Sequence, residues 1–176
     1  MPRGRFAPQP VSLYLARRDR EIAQALRSGF LRSPGGLRTL TRDFGLQTVG
    51  ELDCIGGIRV EVEEILERRI NWFSKRPFQS VVLTYYRYNA RLPGRGHGKG
   101  MIFRYNSPHK THNRFHHVHR YDTLGTGDER RPPVPVSEDE VPTLRQVLKE
   151  AEDWYYAHVA GNGASGDTHE RGETAE

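Results

Sequence analysis

The run from Gln79 to Leu92 limits the fold of this chain more than any other segment. It is rich in Val, Thr and Tyr and contains neither Gly nor Pro, a make-up that fits a pleated strand far better than a helix. It also opens a longer stretch, Gln79 to Tyr121, that runs 43 residues without one Asp or Glu. Within it, Pro93-Gly94-Arg95-Gly96-His97-Gly98 reads as a flexible, basic hairpin loop. Lys99 to Asn106 reads as a second strand stopped by Ser107-Pro108, and Phe115 to Tyr121 as a third. The stretch holds eight Arg or Lys and six of the chain's eight His.

Before it, residues 1–10 read as a flexible arm and residues 11–45 as a helical N-terminal extension. Val11 to Arg32 reads as containing a short helix: Leu15, Ile22, Ala25, Leu26 and Phe30 fall near helical spacing, with Asp19 as an acceptable N-cap. Ser33-Pro34-Gly35-Gly36 breaks that helix, and Leu37 to Phe44 predicts one more helical turn. Leu46 to Ile55 is expected to be extended, turning back at Gly56-Gly57. Ile58, Val60 and Val62 then alternate with Arg59, Glu61 and Glu63, as in a half-buried strand. A helix from Glu61 to Phe73 also fits Val62, Ile65, Leu66 and Ile70; the alternation beginning straight after the turn favours the strand. Leu124 to Pro135 reads as a long extended connection. The acidic run Ser137 to Glu140 then leads into a helix from about Val141 to Val159, with Val141, Leu144, Val147, Leu148, Ala151, Trp154 and Tyr155 forming its apolar face. Residues 161–176 have the composition of a disordered tail. The expected architecture is α+β. It has a mainly antiparallel sheet of about five strands, a C-terminal helix on one face, and the helical extension added to a domain over residues 46–160.

A net charge of +5 favours a polyanionic partner. The single Cys54 leaves no intramolecular disulfide and no Cys-rich zinc module, which suits a reducing cytoplasm; a small buried hydrophobe is its expected role. No apolar run approaches the roughly 20 residues of a membrane span, and the basic N-terminus lacks the apolar region of a secretory signal.

A surface with many cations and imidazoles but no carboxylates of its own attracts phosphates and passes protons near neutral pH, which points to RNA. On a strand, His117, His119 and Tyr121 share a face with Phe115, while His116 and Arg120 point the other way. His117 and His119 are thus acid and base candidates for metal-free phosphodiester transfer, with His109 or His116 as substitutes. Arg104, Arg114 and Arg120 are candidates to steady a pentavalent phosphate, with Arg87 and Lys110 as further substrate contacts and Tyr105 and Tyr121 as stacking surfaces. The plain alternative is that these are sheet residues with no catalytic role. A His-x-His zinc site completed by His109 or His112 is a rival use, disfavoured by the scarcity of other ligands; no metal or cofactor is expected. A triplet recurs as Arg87-Tyr88-Asn89, Arg104-Tyr105-Asn106 and Arg120-Tyr121-Asp122. In a simple meander the second would lie at the opposite edge from the other two, so the three would not form one site.

The block Tyr85-Tyr86-Arg87-Tyr88-Asn89-Ala90, then Phe103-Arg104-Tyr105-Asn106-Ser107-Pro108-His109, then Phe115-His116-His117-Val118-His119-Arg120-Tyr121-Asp122, resembles the TumE-like proteins. These are toxin components of bacterial type II toxin–antitoxin modules. The resemblance covers about Leu46 to Tyr156. It implies a cytoplasmic toxin acting on RNA and held inactive by a cognate antitoxin protein, with a homo-oligomer left open. Asn106 stands where that family often has Asp, and the extension through Phe44 lies outside its pattern. The reading is therefore a metal-independent endoribonuclease toxin. The alternative is a non-catalytic RNA-binding or protein-interaction module using the same basic surface.

Overall fold

The computed structural model describes residues 6–71, 78–93, 100–108, 114–124, 126–130 and 132–160. The expected tail over 161–176 and the centre of the basic hairpin loop, 94–99, lie outside the described residues, as does the arm before Phe6.

Two helices and nine strands make up the described chain. Strand β1 (Gln9–Pro10) leads into α1 (Val11–Arg27), then come β2 (Leu31–Ser33), β3 (Arg38–Arg42) and β4 (Gly45–Cys54). Next are β5 (Arg59–Asn71), β6 (Phe78–Arg91), β7 (Met101–Asn106), β8 (His117–Arg120) and β9 (Val134–Pro135), and finally α2 (Leu144–Tyr155). All nine strands join one antiparallel sheet in the order β2-β4-β5-β6-β7-β8-β9, with β1 added to β6 and β3 to β4.

The α+β class holds, but the expected count of about five strands does not. The additional strands β1, β2, β3 and β9 are two to five residues long, too short to display a period of their own. They are strands because a neighbour supplies hydrogen bonds, as in the five-pair register from Arg38↔Val49 to Arg42↔Gly45. The helical extension is likewise corrected. Its helix starts at Val11, straight after Pro10, rather than at Asp19, and the expected helical turn over Leu37 to Phe44 is β3. Residues 6–10 lie against the sheet, with Gln9 paired to Val81 and the Phe6 ring 5.0 Å from that of His116. The strand preferred over a helix after Gly57 forms and runs to Asn71.

The reversal before β5 is a 3₁₀ turn, Ile55–Gly57, with Gly56 at φ 66° and Gly57 at φ 73°. A Cβ on Gly56 would lie 2.2 Å from the Tyr155 ring, so both the backbone and α2 require glycine there. At the other end of α2, Thr143 caps the helix: its Oγ1 accepts from Gln146 N at 3.3 Å and Gln146 Oε1 accepts from Thr143 N at 2.8 Å.

The register sorts side chains onto two faces. Val60, Val62, Glu64 and Leu66 of β5 align with Ala90, Tyr88, Tyr86 and Leu83 of β6; Tyr88 and Ala90 align in turn with Tyr105 and Phe103 of β7. This face is buried beneath Tyr14 of α1 and Leu144, Val147, Leu148 and Ala151 of α2. Inside it lies one acid, Glu64, which is 4% exposed. Its carboxylate accepts from the hydroxyls of Tyr14 and Tyr88, and Tyr14 Oη lies 2.9 Å from Thr48 Oγ1. Burial, followed by the Glu64 charge, raises the Tyr14 pKa well above the ordinary phenol value, so the hydroxyl stays a donor.

That carboxylate ties α1 to two strands. Tyr14→Phe removes from a buried charge the donor that α1 supplies, which costs about 1–3 kcal/mol. Urea unfolding should show this as a lower midpoint at unchanged slope; a loss below ~0.5 kcal/mol would mean that the network does not hold α1 to the sheet.

Candidate functional site

The face turned away from the helices carries the ordered polar groups. From β5 to β8 it presents Glu61 and Glu63, then Arg87, Asn89 and Arg91, then Arg104 and Asn106, then His117 and His119. The acid-free stretch therefore has acids beside it, delivered by strand pairing. Arg87 Nη2 lies 3.1 Å from Glu63, while Arg91 reaches Glu51 and Glu61, each at 2.7 Å. Asn89 Nδ2 donates to Glu61 at 2.8 Å. A shallow hollow of about 280 Å³ on this face is bordered by Glu51, Glu61, Glu63 and Arg87, a lining that disfavours a phosphate. Arg87 is thus engaged inside the sheet.

Arg104 is placed differently. It stands opposite Asn89 on one side and His119 on the other. Its Nη2 lies 3.4 Å from His119 Nε2. Asn106 lies between Arg104 and His117: its Nδ2 is 3.4 Å from His117 Nε2, and with the amide turned over its oxygen accepts instead from Arg104 Nε at 3.2 Å while its nitrogen donates to the Tyr105 carbonyl at 3.3 Å. The guanidinium is thus bordered by neutral groups, His119 and Asn106, and no carboxylate pairs with it among the described residues.

His117 and His119 do share a face, with ring centroids 4.9 Å apart and the planes at 72°. Their surroundings differ. His117 is fully buried, and its Nδ1 lies 2.9 Å from the Phe115 carbonyl, which assigns the proton to that nitrogen. Burial lowers its pKa below 6.5, partly opposed by that backbone bond, so the ring is held neutral. His119 is 8% exposed, and its Nδ1 donates to Glu129 at 2.8 Å, leaving Nε2 toward Arg104. The Tyr121 ring lies near-parallel to His119 at 6.4 Å, and burial raises its phenol pKa.

The remaining predicted residues lie elsewhere. His116 is on the helix-side face, its Nδ1 3.1 Å from Tyr86 Oη and its ring stacked at 13° on Tyr86. Tyr105 and Arg120 are on that face too, both bound to Glu150 of α2: the Tyr105 hydroxyl donates at 2.7 Å and Arg120 forms an ion pair. Burial, then Glu150, raises the Tyr105 pKa above the ordinary phenol value. The expectation that no acid meets the cations of this region is corrected by Glu129 and Glu150. Arg114 is exposed, just before the edge-on pair of Phe115 and His117 rings. His109, Lys110 and His112 lie outside the described residues. The triplets also pair differently from the expectation: Arg87, Tyr88 and Asn89 lie directly against Asn106, Tyr105 and Arg104.

Glu129 is the residue that sequence reasoning missed. It falls in the segment read as an extended connection. A single bridge, Tyr121↔Glu129, supported by Arg130 N donating to the Arg120 carbonyl at 2.9 Å, brings it back to His119. Its only sequence signal is the Gly-Thr-Gly-Asp turn just before it. Among the described residues no three His, Cys, Asp or Glu side chains converge as a metal ion would need. No described helix is long and apolar enough to cross a membrane. Cys54 is buried and its thiol is pushed up to about 12 by that burial. Comparison with protein-family models, with curated proteins and with solved structures finds no match.

The buried imidazoles give the fold a pH dependence. His117 and His116 both have folded pKa values below 6.5, so below that pH the unfolded chain binds protons that the folded chain does not. Their contribution to stability is complete above pH 6.5 and is lost as pH falls. Urea midpoints measured across that range should decline on the acid side, and the decline should be shallower in His117→Gln than in the native chain.

Proposed function

We propose that this chain is a cytoplasmic, toxin-like endoribonuclease that works without a metal and is restrained by a cognate antitoxin protein. The observation that carries the reading is the chain of contacts Glu129–His119–Arg104. A carboxylate fixes the imidazole through Nδ1, and its Nε2 stands beside a guanidinium whose charge no described carboxylate offsets. In the proposed reaction His119 takes the proton of a ribose 2′-hydroxyl, the 2′-oxygen attacks the adjacent phosphorus, and the 5′-oxygen leaves with a proton from solvent. Arg104 offsets the charge on the pentavalent phosphate, and Tyr121 offers a ring for a neighbouring base. His117, being enclosed, supports the His119 ring edge-on and does not meet the RNA in this reading. Arg120 and Tyr105 serve the α2 interface. The TumE-like pattern in the sequence supports the same assignment.

A second reading, an RNA-binding module without catalysis, is favoured by one observation: both imidazoles are nearly enclosed, at 0% and 8% exposure.

Purified protein incubated with total RNA, with and without EDTA, separates these readings. The nuclease reading expects cutting in both tubes. It expects a loss of about 100-fold or more in His119→Ala and Arg104→Ala, and about tenfold in Glu129→Gln, where orientation alone is weakened. RNA left intact while Arg104→Ala still weakens its binding would establish the second reading. Cutting abolished only by EDTA would remove the metal-free mechanism.

A further inference from the structure

Four rings follow one another along β8 and its flanks. Phe115, His117, His119 and Tyr121 alternate onto the face turned away from the helices. Their centroids are 6.3, 4.9 and 6.4 Å apart in that order, so they form a continuous ladder. The two inner rings are enclosed, as described above. The two outer ones are not: Phe115 is 45% exposed and Tyr121 is half-buried. The contact of Phe115 with His117 is edge-on, at 85°, and it leaves much of the Phe115 side chain in solvent.

The groups beside the ladder suit a phosphate backbone. Arg104 borders its middle, 3.4 Å from His119 Nε2, and has no carboxylate partner among the described residues. Arg114 is exposed at the Phe115 end and likewise has none among them. Glu129 meets the ladder too, but its carboxylate is engaged by His119 Nδ1 at 2.8 Å. An acidic peptide would satisfy the guanidinium groups alone; exposed rings next to them favour a nucleic acid, whose bases stack on such rings whatever their identity. A duplex keeps each base stacked on the next, about 3.4 Å apart along a strand, and has no free faces for two rings separated by a pair of imidazoles. An unpaired strand can splay its bases onto both.

We propose that the ladder is a track for single-stranded RNA, with one base stacked on Phe115, another on Tyr121, and the sugar-phosphate between them against Arg104. The inference rests on the reading of this face as an RNA site and adds to it a binding residue, Phe115, and a substrate class, unpaired RNA. Tyr121 neighbours His119 on the ladder, whereas Phe115 is separated from it by the His117 ring. The base on Phe115 therefore lies away from the reacting phosphate, and losing that ring costs affinity rather than turnover.

The probe is a labelled single strand of about twelve 2′-O-methyl nucleotides of mixed sequence, compared with the same strand annealed to its complement. Fluorescence anisotropy at one fixed salt concentration should show the single strand bound at least about tenfold more tightly than the duplex. Phe115→Leu keeps an apolar side chain against His117 but offers no ring face; it should weaken binding of the single strand about tenfold, as should Tyr121→Leu. Phe115→Trp and Tyr121→Phe should bind like the native chain, which separates stacking from an effect on the fold. With ordinary RNA, Phe115→Leu should raise KM and leave kcat unchanged. The capped 2′-oxygen of the probe cannot attack phosphorus, so a chain unable to cut RNA can still pass the binding test, and a chain that cuts RNA can fail it. Equal binding of the duplex overturns the proposal, as does native-like binding by Phe115→Leu or an equal loss in Phe115→Trp. So does absence of saturable binding up to about 1 mM. Displacement of the strand by polyglutamate as readily as by unlabelled strand also overturns it, and would give the face to an acidic protein.

Discussion

Thirteen residue pairs join β5 to β6, from Arg59↔Arg91 to Asn71↔Phe78, and most of the molecule's electrostatics is settled in that ladder. β5 is the acidic strand and β6 the basic one. Their antiparallel register sets Glu63 against Arg87 and Glu61 against Asn89, and it places Glu64 beside Tyr86 and one step from Tyr88 on the buried face. A slip of one residue would exchange the faces, driving the arginines under the helices and lifting Glu64 out of reach of Tyr14. The hydrophobic alternation and the ion pairs thus specify the same register, and neither could shift without the other.

This explains what the sequence could and could not disclose. The β6 strand was legible because β-branched and aromatic residues fill it without a breaker. β5 was legible at its start, where Ile58, Val60 and Val62 alternate, and ambiguous beyond it for two local reasons. Glu64 puts an acid at a core position, which interrupts the apolar pattern. Ile65, on the open face, then stands directly before Leu66 of the buried face, and the two apolar residues in succession imitate a helix face; the extra residue of the bulge there, Thr84, belongs to β6. The short strands β1, β3 and β9 had no pattern to find, since their conformation comes from the strand beside them. The expectation of a carboxylate-free surface failed for the same reason: a period-2 rule tells which way a side chain points, but not which strand will lie next to it.

The candidate site follows this division. That His117 and His119 share a face, opposite His116, follows from alternation alone. Their inequality does not. The carbonyl of Phe115 and the carboxylate of Glu129 come from either side of β8, one from the residue entering the strand and the other from a segment that folds back after Tyr121. One ring is thereby closed off and neutral, while the other is oriented by a charge. Arg120 was assigned to phosphate on composition, yet it points at α2, where Glu150 receives both it and Tyr105. The same guanidinium chemistry serves the helix interface on one face and, on the other, leaves Arg104 with neutral partners.

Charge compensation therefore separates the arginines better than their number does. A guanidinium already paired with a carboxylate must give up that partner before it can bind a phosphate, so Arg59, Arg87 and Arg91 contribute little to attracting a polyanion despite their positions on an open face. Arg104 needs no such exchange. It stands opposite His119, whose ring lies near-parallel to that of Tyr121. Composition counts these four guanidinium groups alike, and only the register of β5 to β8 tells them apart.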